Sequence, residues 1–149
     1  MKVVLQRVLS ASVSVKGTEI AKIDKGFIAL VGVFYGDTLH DVKVLSDKTA
    51  NLRVFSDDNG KMNKSIQDEN GEILVVSNFT LCANCKHGRR PSFEKASSPK
   101  DAKYLYEAYG LYLSKLNIKS VKYGMFGENM EVNIKNDGPV TIILDSDEL

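Results

Sequence analysis

The sequence predicts an α+β fold, with curved β-sheets closing toward a barrel and two main helices packed outside it. Two observations carry that expectation. Seven or eight short runs, either continuously apolar or alternating, read as strands, and only two windows space their apolar residues as a helix does. Such a mixture of many strands and two helices is the α+β pattern. No long linker, low-complexity tract or internal repeat interrupts the 149 residues, so the reading is one domain over residues 1–149. A chain of that size buries about two thirds of its unfolded surface.

In chain order, residues 2–8 read as a strand. Ala11, Val13 and Val15 alternate with Ser12 and Ser14, which describes a half-buried strand, and Lys16-Gly17 then turns into residues 18–24. Phe27 to Phe34 is a continuous apolar run, as expected of a strand covered on both faces. A helix follows, capped by Thr38, with Asp41 in its first turn and Leu39, Val42, Leu45, Thr49 and Leu52 at helical spacing. "DDNGK" (57–61) is a loop and Ile73 to Phe79 another buried strand. The second helix starts at Ser98, with Pro99 at its first position, Asp101 at its third, and Ala102, Leu105, Tyr109, Leu113 and Leu116 as its apolar stripe. Strands near 118–123, 130–135 and 140–145 complete the chain.

Composition narrows the function classes. Twenty Lys and Arg against 19 Asp and Glu leave a net charge of +1, so contact with nucleic acid must come from a local basic patch. The apolar runs are too short to span a bilayer, and "MKVVLQRV" reads as a strand rather than a signal peptide. Two cysteines and no export signal make a reducing cytoplasm the expected compartment.

The densest chemistry lies in "SNFTLCANCKHGRRPSF" (77–93), where hydroxyls, an amide, two cysteines and basic side chains follow a buried strand. Its bland reading is a strand-end cap by Ser77 and Thr80 ahead of a solvated basic loop. Cys82 and Cys85, with His87 nearby, suggest zinc or redox chemistry. A structural zinc site needs four ligands, however, and only His40 remains to add, while Gly88 and Pro91 argue against a redox motif opening a helix. Two ordinary thiols are the plainer reading. Lys86, His87, Arg89, Arg90 and Lys95, with Phe93 among them, suit phosphate contacts beside a stacking ring, and equally a solvated face. No G-x-S-x-G elbow is present, and neither His40 nor His87 belongs to a nucleophile pattern. An enzyme built on this sequence must lean on positioning and backbone donors. Gly138-Pro139, just ahead of Val140 to Leu144, is at least a rigid turn.

The pieces then resemble one family from end to end. "LQRVLSASVSV" (5–15), "FSDDNGKMN" (55–63), "VVSNFTL" (75–81), "RRPSF" (89–93), "YGMFGENM" (123–130) and "NDGPVT" (136–141) are similar, in order and spacing, to segments of the D-aminoacyl-tRNA deacylases. The resemblance implies hydrolysis of the ester joining a D-amino acid to the 3′-terminal ribose of tRNA. Glycine mischarged on tRNA-Ala is a further expected substrate. It implies a barrel-like α+β domain in a symmetric homodimer, with tRNA as partner, no cofactor and no metal, and neither membrane nor DNA as a partner.

Residue by residue, the resemblance places Ser77, Phe79 and Thr80 at the catalytic centre. Backbone N–H groups of Phe79 and Thr80 would stabilise the oxyanion, with the tRNA 2′-OH assisting water and Thr80 positioning rather than reacting. Asn78, Leu81, Phe126, Met130, Gly138, Pro139 and Val140 would contact substrate. The Gly138-Pro139 bond would be cis and would enter the other subunit's pocket, rejecting L side chains by steric exclusion. Arg7 would hold that motif, and Lys86, Arg89 and Arg90 would meet tRNA. Asn78 departs from the family's usual glutamine and reaches one methylene less, and the resemblance assigns the two cysteines no role. The rival from another class is a non-catalytic module binding the tRNA 3′ end.

Overall fold

The computed structural model describes residues 1–149. Eight strands form: β1 (Lys2–Val15), β2 (Thr18–Ile23), β3 (Gly26–Gly32), β4 (Phe55–Ser56), β5 (Met62–Lys64), β6 (Glu72–Ser77), β7 (Ser120–Tyr123) and β8 (Glu131–Asp145). Two helices, α1 (Leu39–Asn51) and α2 (Pro99–Leu113), join them, with short 3-10 turns at Phe79–Cys82 and Ser146–Glu148. The α+β expectation holds. The main sheet runs β2-β1-β3-β6-β7, with β8 on the other edge of β1, and it curls into a nearly closed barrel. β1 is antiparallel to β2, β3 and β8, whereas β3, β6 and β7 run parallel, so the sheet is mixed. β4 and β5 form a separate small hairpin.

Two pairs of expected strands turn out to be single long ones. β1 covers both 2–8 and 11–15 because irregularities around Val8 shift its register against β8 without ending the ladder. They also change which residues face inward. Val3 and Leu5 join the helix-side core, whereas Val8, Ala11 and Val13 join the core on the other face. A one-residue shift exchanges faces in a period-2 strand, so the chain reads as two patterns while remaining one element. β8 likewise spans both expected runs, with Gly138-Pro139 inside it rather than ahead of it.

The larger core lies between the helices and the sheet. Leu5, Phe27, Ala29, Val31, Ile73 and Val75 meet Val42 and Leu45 of α1 and Leu105, Tyr109 and Leu113 of α2. The fully buried Tyr109 hydroxyl is satisfied by Thr49 across the helix pair, at 2.8 Å. Both helix starts form as the sequence predicts. Thr38 and Asp41 make a reciprocal capping box on α1, and Ser98 accepts from the Asp101 N–H with Pro99 inside the first turn of α2. No helix is long and apolar enough to cross a membrane.

Candidate active site

The site begins where β6 ends. The parallel ladder between β3 and β6 closes at Val31 and Ser77, and the Asn78 N–H adds one more bond to the Val31 carbonyl at 2.8 Å. The strand stops there, two residues short of the sequence expectation, and Phe79 and Thr80 lie in a 3-10 turn. Asn78 is the cause. Its side-chain oxygen accepts from the Thr80 N–H at 3.3 Å and from the Thr80 hydroxyl, so it caps the turn as an asparagine caps a helix. The amide oxygen that the resemblance would aim at substrate is engaged by its own chain. The Phe79 N–H, by contrast, has no acceptor within the chain.

A cleft of about 570 Å³ opens beside this turn. Leu30, Val76, Ser77, Asn78 and Phe79 line its base, Phe126, Gly127, Glu128 and Met130 one wall, and Ala96, Ser97, Pro99 and Ala102 another. Val132 and Ile134 of β8 close it. The wall at Phe126 is shaped by a tight turn in which the Met125 N–H donates to the Met130 sulfur at 3.4 Å. Phe79 stands 59% exposed at the mouth, edge-on to Phe93 with ring centroids 5.0 Å apart. The lining is mainly apolar, and neither histidine belongs to it.

Of the residues named from sequence, Ser77, Asn78, Phe79, Phe126 and Met130 come together on this cleft. Thr80 and Leu81 do not line it. Thr80 is exposed on the turn, and Leu81 packs behind it against Gly32, where an added Cβ would sit 2.8 Å from the leucine Cβ. The wall of Ala96, Ser97 and Ala102 escaped the sequence reading, since small residues in a loop and an opening turn carry no chemical signature.

Gly138, Pro139 and Val140 also lie outside the cleft of their own chain. Gln6 pairs with Thr141 and Val8 with Asn136, so Asp137 to Val140 oppose Arg7 alone and bulge out of the ladder. Gly138 and Pro139 are exposed at the tip, joined by a cis peptide bond. Side chains secure both feet of the bulge. The Arg7 Nε lies 3.0 Å from the Asp137 carboxylate and donates to the Asp137 carbonyl at 3.3 Å, while another guanidinium nitrogen donates to the Val54 carbonyl. The Asn136 amide donates to the Arg7 carbonyl at 2.9 Å and to the Val140 carbonyl at 3.1 Å, spanning the loop at its base.

The basic loop is built as a small closed unit. Asn84 and Ser92 exchange backbone bonds of 2.8 and 2.9 Å, which leaves Lys86, His87, Arg89 and Arg90 exposed between them and in no ion pair. The two thiols part company: buried Cys82 donates to the Val33 carbonyl at 3.3 Å, and Cys85 is exposed. Burial, aided by the Asp37 carboxylate, pushes the Cys82 thiol above its ordinary range.

Comparison with known proteins agrees with the sequence resemblance. The family model described as D-Tyr-tRNA(Tyr) deacylase matches residues 4–145. The chain is 51% identical over 146 residues to a D-aminoacyl-tRNA deacylase of Clostridium novyi, covering 98% of this chain and 97% of that one. It is 52% identical over 145 residues to one of Exiguobacterium sibiricum, covering 97% and 99%. Among solved structures, a c-Myc DNA Unwinding Element Binding Protein superposes with a TM-score of 0.91 at 41% identity, covering 97% of this chain and 98% of that chain. A probable eukaryotic D-amino acid tRNA deacylase shares the fold alone, with a TM-score of 0.82 at 14% identity over 96% of this chain and 97% of that chain. With a family match over nearly its whole length and relatives at about half identity, the chain belongs to the D-Tyr-tRNA(Tyr) deacylase family.

Proposed function

We propose that this chain, acting as one domain in a cytoplasmic homodimer, hydrolyses the ester of D-aminoacyl-tRNA. Free D-amino acid and tRNA are released, and glycine mischarged on tRNA-Ala is treated alike. The observation that carries this reading is the unpartnered Phe79 N–H on a mainly apolar cleft whose lining holds no histidine. A donor waiting for an acceptor is what a developing oxyanion needs. Water attacks the ester carbonyl, negative charge gathers on its oxygen opposite the Phe79 N–H, and the bond to the ribose oxygen breaks; the Thr80 N–H, the second donor the resemblance implies, is held by the Asn78 side chain. The ribose 2′-OH relays the proton from the attacking water to that leaving oxygen. Thr80 holds the turn, and Ser77 and Asn78 shape its base.

Phe126 and Met130 flank the amino acid. Gly138, Pro139 and Val140 of one copy enter the cleft of the other, where a backbone braced by Arg7 and Asn136 excludes an L side chain. The support for this arrangement is physical: the bulge is held at both feet, exposed at its tip, and outside the lining of its own cleft. Lys86, Arg89 and Arg90 bind the acceptor-end phosphates.

The deciding experiment is a matched pair of hydrolysis rates on D-tyrosyl-tRNA and L-tyrosyl-tRNA with chelator present. Release of the D form alone is expected. Equal release of both would retain the esterase and remove the filter. Salt-dependent tRNA binding without turnover would favour the rival reading, an end-binding module resting on the unpaired cations of the basic loop.

A further inference from the structure

A second hollow, of about 800 Å³, lies on the far side of Phe126, so that one ring borders both it and the candidate active-site cleft. Its lining is unusual for a surface groove. Tyr106 forms the floor, buried and locked by a 2.9 Å bond from its hydroxyl to the Val75 carbonyl, with the Tyr123 and Phe126 rings at 5.8 and 5.9 Å. Tyr104 and Leu111 of α2 rise beside it, 58% and 53% exposed and packed against nothing that would explain them. One cation lines it, Lys103, loosely paired with the lining Glu107 at 3.8 Å, and Lys115 lies outside the lining, 5.5 Å from the ring centroid of the lining Tyr112.

Flat aromatic walls with a lysine at hand are the chemistry that grips an unpaired nucleotide, with the base on a ring and the phosphate on a cation. The hollow is open to solvent and, at about 800 Å³, has room for one nucleotide. We propose that this hollow receives an unpaired nucleotide preceding the terminal adenosine of the tRNA 3′ tail. The aminoacylated end lies across Phe126 in the adjoining cleft. The inference rests on the deacylase reading above and deepens it, because it names a second contact with the same substrate. Tyr104 is the stacking ring, and Phe126 is the partition that sets the nucleotide apart from the aminoacyl group.

The test compares two substrates on wild type, Tyr104→Ala and Tyr104→Phe. One is D-tyrosyl-tRNA and the other is D-tyrosyl-adenosine, which has the ester but no preceding nucleotide. Tyr104→Ala is expected to lose about tenfold or more in kcat/KM on the tRNA, chiefly through KM, in line with the loss of one base–ring stack. It should turn over D-tyrosyl-adenosine as wild type does, and Tyr104→Phe should restore the tRNA reaction. Equal losses on both substrates would overturn the inference and make Tyr104 a structural residue, and no loss on either would empty the hollow of any role. Dissociation of a dimer by Tyr104→Ala would also overturn it, assigning the surface to a subunit contact. Wild type that cleaves neither substrate would instead bring down the deacylase reading itself, and the inference with it.

Discussion

Arg7 and Asp137 face each other across the β1–β8 ladder, with guanidinium Nε 3.0 Å from the carboxylate and 3.3 Å from the carbonyl of the same residue. Arg7 is only 8% exposed, and its remaining reach goes to the Val54 carbonyl. Replacing it with alanine strands a partly buried carboxylate and two carbonyls. Asp137 keeps some water, with 31% of its side chain exposed, so the cost falls below that of breaking a fully buried pair. Arg7→Ala should lose about 2 kcal/mol in chemical denaturation. It should also raise the rate on L-tyrosyl-tRNA relative to the D form, because the bulge is no longer held. An unchanged D/L ratio would separate Arg7 from the selectivity of the loop.

The tip of the bulge makes a second demand. Gly138 has φ of 133°, and an added Cβ would sit 2.7 Å from the Val140 side chain and 2.8 Å from its nitrogen. A methyl group therefore deforms the loop rather than merely filling space. Gly138→Ala should cost about 1–3 kcal/mol from the forced backbone. Its D-specific turnover should fall further than its stability, as a paired measurement of denaturation midpoint and D-tyrosyl-tRNA hydrolysis would reveal.

Thr80 and Asn78 behave as one unit. The threonine hydroxyl donates to the asparagine oxygen, and no base stands beside it, so it is poorly placed to act as a nucleophile. Thr80→Ala should retain measurable hydrolysis, with kcat down by about tenfold at most. Asn78→Ala removes the cap of the 3-10 turn and should cost about 1 kcal/mol of stability. It should lower kcat more than it raises KM, since the turn aims the Phe79 N–H. Single-turnover rates would decide: complete silence of a folded Thr80→Ala would return the threonine to the role of nucleophile.

These contrasts show what was legible in the sequence. The helix starts at Thr38 and Ser98 were readable because capping is local chemistry, written in three or four consecutive residues. The continuity of β1 and β8 was not, because a strand that changes face loses its period while its ladder survives, and the ladder is a long-range fact. The turn at Phe79 was readable in principle. An asparagine straight after a buried apolar run is a cap signal, but reading the strand on to Phe79 instead of ending it at Ser77 runs two residues past that signal. The hollow behind Phe126 could not be foreseen, since it arises where α2 and the 123–126 segment meet without covering Tyr104.

The thiols offer an independent check on burial. Cys82 is buried, bonded to the Val33 carbonyl, and held protonated by its surroundings, whereas Cys85 is exposed. Since the thiolate is the reactive form, a thiol whose pKa is raised reacts later as pH climbs. Iodoacetamide at mildly alkaline pH should therefore place a single adduct on native protein, at Cys85, and a second appears only after denaturation. Mass spectrometry giving two adducts on native protein would mean that the turn carrying Cys82 opens readily.

Gly32 gives the most direct route to that turn without touching the cleft. It ends β3, and a Cβ placed on it would stand 2.8 Å from the Leu81 Cβ, 3.4 Å from the Asn78 carbonyl and 3.5 Å from the Cys82 sulfur. The leucine Cβ is fixed to the backbone, so relief requires the whole 3-10 turn to shift by a few tenths of an ångström. Overpacking of this size costs about 1–3 kcal/mol. Catalysis is less tolerant, because a displacement near 1 Å already loses about a hundredfold, and a fraction of that displacement should lose about tenfold. Gly32→Ala should thus stay folded, bind tRNA as wild type does, and hydrolyse D-tyrosyl-tRNA about ten times more slowly, with the deficit in kcat. Full activity in a folded Gly32→Ala would mean that the Phe79 N–H need not be held where it lies, and the oxyanion role would pass to another donor.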